Sequence, residues 1–330
     1  MRVMSISMLT SSKPSLNGPS SCRPTVAKLA ELTKARCVVT GYRLAPQNPF
    51  PAALLDILVA YISLVYPPAG SFHEPIAASS IVIAAESAGA SLALSLVQVL
   101  LAAKRSQAVD IPTVCFHGSK IPLRCPAGLT CLSTVPTQLP DVFPSFRTKA
   151  SVDIFSDLVP CLRPDYPPCS IWPSNPPREH YYCEASVICH PLVSPVTARS
   201  WKGSPPMWFA TGGEERCSDP TKVVAQAAAR QGVVVRWEQY EAMPHIWMML
   251  VKNWWQSMMV GRHWAETCQS FATGKELESK GQLIDLGKGE LEVDVMTLTD
   301  LSPEGAESLM NQRVVSMKPW IGKQDAKASL

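Results

Sequence analysis

The chain has 330 residues, 46% of them hydrophobic and only 17% charged, with a net charge of +3. That length and apolar content are enough for a large buried core within one domain plus an insertion. The slight, scattered charge excludes a nucleic-acid-binding surface.

In chain order, Met1 to Ser12 holds one early arginine and a short mixed apolar run, which makes a poor signal peptide. Residues 24–34 fit a helix and Arg36 to Gly41 a strand. Pro51 to Tyr66 reads as a helix with Leu54, Leu58, Tyr61, Ile62 and Val65 on one face. The β-branched run Ile81 to Ile83 then passes through Ala85-Glu86-Ser87-Ala88-Gly89 into a long Ala/Leu stretch. This predicts a strand over 80–84, a tight turn with Ser87 at its tip, and a helix over 88–104. A serine so placed lifts its Oγ above the sheet edge, where the helix N-terminus favours developing negative charge. The pattern is G-x-S-x-G with Ala85 in place of the first glycine. Ile76 to Ala103 is apolar enough to suggest a membrane span, but Glu86, Ser87 and Gly89 at its centre assign it to a buried core.

A short strand near Gly128 to Leu132 comes next, and then a segment in which the prolines concentrate, where turns and irregular structure are expected. Pro205 to Ala210 is an apolar strand ending in Thr211-Gly212-Gly213-Glu214-Glu215. Asp219-Pro220 starts a helix, with Asp219 expected as its N-cap and Gly232 as its stop. The strand Val233 to Trp237 leads to Met243-Pro244-His245. After it, Trp247-Met248-Met249, Trp254-Trp255 and Met258-Met259 read as a helix packed on the core, or as a wall against an apolar substrate or membrane face. In the tail, Glu290 to Thr299 fits a strand or extended segment, and the end from Lys323 is expected to fray.

One strand end thus offers a serine, a later one a carboxylate and the next a histidine. That chain order is the one found in α/β-hydrolases, and not in chymotrypsin-like or subtilisin-like folds. The residue types dictate the chemistry: a serine hydroxyl is a poor nucleophile until a histidine takes its proton. The carboxylate fixes the imidazole tautomer and stabilises the imidazolium. The eleven cysteines include no C-x-x-C pair, and Cys183, Cys189 and His190 with Cys169 match no common zinc spacing. No metal is expected, and no cofactor, since no nucleotide fingerprint is present. A reducing, cytoplasmic setting is the expectation from cysteine usage.

Several runs together resemble one family. They are Tyr42-Arg43-Leu44-Ala45-Pro46, Phe50-Pro51-Ala52-Ala53-Leu54 with Asp56, Glu86-Ser87-Ala88-Gly89, Gly212 to Glu215 with Asp219, and Met243-Pro244-His245. Pro205-Pro206 and His190-Pro191-Leu192-Val193-Ser194-Pro195 also fit. The sequence resembles the hormone-sensitive-lipase-like branch of the α/β-hydrolases, especially its fungal members, among them steryl acetyl hydrolases and esterases of secondary metabolism. The resemblance implies a mostly parallel sheet flanked by helices, with Ser87 as nucleophile and His245 as general base. It makes Glu215 the acid, with Glu214 the runner-up, and the backbone N–H of Ala88 an oxyanion donor. The implied partner is an apolar small-molecule or steroid-like ester.

The family takes most of its oxyanion hole from an H-G-G-G loop upstream of Y-R-L-A-P, and no such run occurs here. Gly18 to Ala30 resembles the stretch immediately downstream of that loop, so residues 1–17 are expected to be unrelated sequence replacing the loop and the strands before it. His117-Gly118 lies after the nucleophile and reads as an ordinary loop. The expected organisation is an atypical segment 1–17, core 18–139, a Pro-rich cap 140–196, core 197–270 and an extension 271–330. Two functions remain open: a serine carboxylester hydrolase, or a truncated, non-catalytic relative. Loss of one oxyanion donor costs about a hundred- to a thousand-fold in rate, so a weak or poorly soluble enzyme is the expectation. Loss of the leading strands would also leave the Arg36 to Gly41 strand at an open sheet edge.

Overall fold

The computed structural model describes residues 2–6, 19–149 and 170–321. Strand β1 (Arg2–Ile6) leads to helix α1 (Pro19–Thr33), strand β2 (Arg36–Val39) and helix α2 (Ala52–Val65). Strand β3 (Ile81–Glu86) runs without a loop into helix α3 (Ser87–Gln107). A small hairpin of β4 (Thr113–Phe116) and β5 (Ser119–Pro122) precedes β6 (Gly128–Leu132). Then come β7 (Met207–Gly212), α4 (Ser218–Arg230), β8 (Val235–Tyr240) and α5 (Trp255–Thr273). The last described elements are β9 (Lys280–Asp285), β10 (Gly289–Val293) and α6 (Pro303–Val315).

Among the described residues, eight strands form one sheet in the order β10-β9-β8-β7-β6-β3-β1-β2, with only the β9–β10 pair antiparallel. Helices cover both faces, so the central strands are buried on both sides and read as continuous apolar runs. Alternation divides β3 between two cores. Ile81, Ile83 and Ala85 pack with α2, α3 and α4, while Val82 and Ala84 face α1 and α5. In β7, Met207 and Phe209 join the first core and Trp208 and Ala210 the second, where Trp208 stacks on Trp264 of α5. Gly128 lets α5 approach, because a Cβ there would overlap the Phe271 ring.

Several expectations need correction. Residues 1–17 are not wholly foreign to the fold: Arg2–Ile6 is a strand inside the sheet, parallel to both β2 and β3. Its five residues are too few, and too mixed, to show a period. Asp219 is not the N-cap of α4; it lies in the first helical turn, and its carboxylate accepts the Ser145 amide at 2.7 Å. The tail contributes two strands and a helix; Ser302 caps α6 by accepting the Gly305 amide at 3.1 Å. Strand β2 does form one edge of the sheet. His117 and Gly118, both left-handed, make the β4–β5 turn. Helix α3 is long and apolar enough to cross a membrane, yet most of its apolar stretch is buried inside the protein. The proposed cap lies partly outside the described residues. Its described part holds the short helix Pro144–Thr148 and single 3₁₀ turns.

Beneath the second core, the buried Glu238 carboxylate accepts from Trp208 Nε1 at 2.9 Å, the Tyr240 hydroxyl at 2.8 Å and His263 Nδ1 at 3.1 Å. The hydrogen bond to Glu238 raises the pKa of His263, outweighing the opposing effect of burial. A histidine whose pKa is raised by folding stabilises the fold at low pH and loses that contribution as pH climbs through the raised value. His263→Gln should therefore cost more stability at about pH 6 than at about pH 9, as read from denaturant midpoints. An equal cost at both would contradict the pairing.

Candidate active site

Strands β3, β6, β7 and β8 are mutually parallel, so their C-terminal ends share one edge of the sheet. This is the edge where open α/β sheets build their sites. Ser87 stands at the end of β3 with φ +51°, in a strained, left-handed strand-to-helix turn of the kind α/β-hydrolases use to present a nucleophile. Small residues make the turn possible, since Ala85 and Ala90 beside it are fully buried. Glu215 follows β7 and His245 follows β8 in a turn bracketed by two left-handed residues, Ala242 and Ile246.

The three side chains meet. His245 Nε2 lies 2.8 Å from Ser87 Oγ, and His245 Nδ1 lies 2.9 Å from Glu215 Oε2. The carboxylate fixes the tautomer: Nδ1–H donates to Glu215, which leaves Nε2 to accept the serine proton. Ser87 and His245 are each 2% exposed and Glu215 is 0% exposed. A buried carboxylate must fill its lone pairs with donors. Glu215 Oε1 does so with the Gly212 amide and the Ser133 hydroxyl, both at 2.7 Å. Glu214 is only half-buried, and its backbone amide donates to the Met243 carbonyl at 3.1 Å. Burial, reinforced by Glu215 nearby, pushes the Cys217 thiol well up, so it stays neutral and adds no charge beside the acid.

Ala88 lies in the first turn of α3 and is exposed. Amides in that turn have no intrahelical acceptor, so its N–H can serve an oxyanion. The place of an H-G-G-G loop falls upstream of Gly18; of that stretch Arg2–Ile6 is β1, and residues 7–17 lie outside the described residues. Sequence reasoning named Gly212 only as part of the run that ends in Glu215, without a contact to the acid, and missed Ser133, which touches the acid without belonging to any catalytic motif. Two signals were available for them. Ser133 ends an apolar strand, and Gly212 lies three residues before Glu215, where a tight turn needs close backbone approach.

The sequence matches the α/β hydrolase fold family over residues 15–154 and 174–249, and the chain belongs to that family. It is 26% identical to an acetyl-hydrolase of Streptomyces hygroscopicus over 267 residues, 80% of this chain and 74% of that protein. Similar solved structures include an esterase/lipase from an uncultured bacterium, 21% identical, with a TM-score of 0.61 over 82% of this chain and 77% of that one. A hormone-sensitive lipase from a metagenome library is 24% identical, with a TM-score of 0.57 over 82% and 78%. An esterase of Pyrobaculum calidifontis is 17% identical, with a TM-score of 0.60 over 82% and 77%.

A Cβ on Gly212 would overlap the Met243 carbonyl, where the acid strand meets the histidine turn. Gly212→Ala should therefore destabilise the protein by about 1–3 kcal/mol, the usual cost of overpacking, as read by denaturant unfolding. An unchanged midpoint would contradict this packing.

Proposed function

We propose that this protein is a serine carboxylic-ester hydrolase, with Ser87 as nucleophile, His245 as general base and acid, and Glu215 as the carboxylate orienting it. The observation that supports this best is the unbroken hydrogen-bonded relay from Glu215 through His245 to Ser87. Ser87 Oγ attacks the ester carbonyl as its proton passes to His245 Nε2, and the resulting oxyanion is met by the Ala88 N–H. The imidazolium, held by Glu215, then protonates the departing alcohol. Water repeats the sequence on the acyl-enzyme, releasing the acid and regenerating Ser87.

The substrate class we assign is an apolar small-molecule ester, with a short acyl group such as acetate. The acetyl-hydrolase relative supports the acyl part. The apolar side chains downstream of His245 support the rest: Leu250, Trp254, Trp255 and Met258 are all substantially exposed. Exposed apolar groups gathered in one short stretch suit an apolar ligand or a lipid surface that delivers it. The fungal resemblance extends the reading to steroid-like esters of secondary metabolism. A non-catalytic protein would have little reason to retain a strained Ser87 aligned on a buried His–Glu pair.

The test is hydrolysis of p-nitrophenyl acetate. Ser87→Ala should abolish turnover. Glu215→Gln should lower kcat by about a thousand-fold or more, since an amide favours the wrong tautomer. Glu214→Gln should stay near wild type. Full activity in Ser87→Ala, or a larger loss from Glu214 than from Glu215, would refute the assignment.

A further inference from the structure

Seven described non-glycine residues have left-handed backbone: Lys34, Ser87, Ala108, His117, Ser133, Ala242 and Ile246. Ser87 is the proposed nucleophile and two others bracket His245. Ser133 is the remaining one at this edge of the sheet. It follows β6 with φ +49° and is fully buried. Glycine would adopt that backbone without strain, so a serine there is retained against its conformational preference. Its hydroxyl makes two contacts. The O–H donates to Glu215 Oε1 at 2.7 Å, and the oxygen accepts the Ile246 amide at 3.0 Å. Ile246 is itself left-handed, and a β-branched residue in that region needs to be held in place. One hydroxyl thus ties the acid to the residue next to the histidine, across three strand ends.

We propose that Ser133 is a positioning residue of this site, its hydroxyl fixing both the Glu215 carboxylate and the His245 turn so that the relay to Ser87 stays aligned. The proposal deepens the hydrolase reading and rests on it for its kinetic part. Donation to Oε1 holds the carboxylate rotamer, which turns Oε2 toward His245 Nδ1. Acceptance from Ile246 sets the turn that carries the imidazole. Neither contact reaches substrate, so their loss should appear in kcat and leave KM nearly unchanged.

The test compares wild type with Ser133→Ala, Ser133→Gly and Ser133→Cys, using p-nitrophenyl acetate kinetics per titrated active site. The low-field Nδ1 proton of His245 is followed by NMR, and thermal unfolding is recorded for each protein. Alanine and glycine should both lower kcat by about ten- to a hundred-fold, the scale of a hydrogen bond to a charged group. Both should also shift or broaden the Nδ1 resonance, and cysteine, a weaker donor, should fall between them and wild type. Glycine suits the left-handed backbone, so Ser133→Gly should melt above Ser133→Ala while being equally impaired. If the alanine variant does not fold, the glycine variant alone decides. A glycine variant with wild-type kcat would overturn the proposal, as would a loss of rate with the resonance unmoved. A wild-type protein without esterase activity, whose Nδ1 resonance still moves in the variants, would refute the hydrolase reading and leave the positioning role standing.

Discussion

The site depends on one buried charge. Glu215 has no exposed surface, and a carboxylate out of water is tolerated only when its oxygens are filled by donors. Those donors come from three places: the Gly212 amide at the end of β7, the Ser133 hydroxyl after β6 and the His245 imidazole after β8. Satisfying this carboxylate therefore requires three parallel strands to end at the right depth. Once they do, the imidazole faces Ser87 at the end of β3, and the relay is complete.

The sheet provides that rigidity. Its central strands are packed on both faces, with alternate residues of β3 and β7 committed to different cores, so a one-residue slip would exchange the two sets. Local strain is concentrated where the geometry is most demanding. Ser87, Ser133, Ala242 and Ile246 are all left-handed without being glycine. Such residues persist only where their surroundings over-determine them. A second buried carboxylate, Glu238, does the corresponding work under the opposite core, tying β8 to α5 through His263.

Much of this was legible in the sequence because the relevant elements are long and strongly patterned. The β-branched run before Ser87, the Ala/Leu helix after it and the apolar strand before Glu215 announce themselves by composition, and the order serine, acid, histidine fixes the topology. The N-terminal strand was not legible, since five mixed residues acquire strand character only by pairing on both sides with β2 and β3. Asp219 looked like a cap because its type and the adjoining proline fit one, but its carboxylate is taken by the Ser145 amide from a distant segment. Ser133 was missed for a related reason: its place after an apolar strand marks a position at the sheet edge, but its partners are 82 and 113 residues away in the chain, and no local pattern records them.

The central claim is that the Glu215–His245 pair makes Ser87 a nucleophile, and covalent trapping tests it without any assumption about the natural ester. The protein is treated with phenylmethylsulfonyl fluoride and its intact mass and peptide map are recorded. The account predicts a single sulfonyl adduct on Ser87, absent in His245→Ala. No adduct, an adduct on another residue, or undiminished labelling of His245→Ala would contradict it.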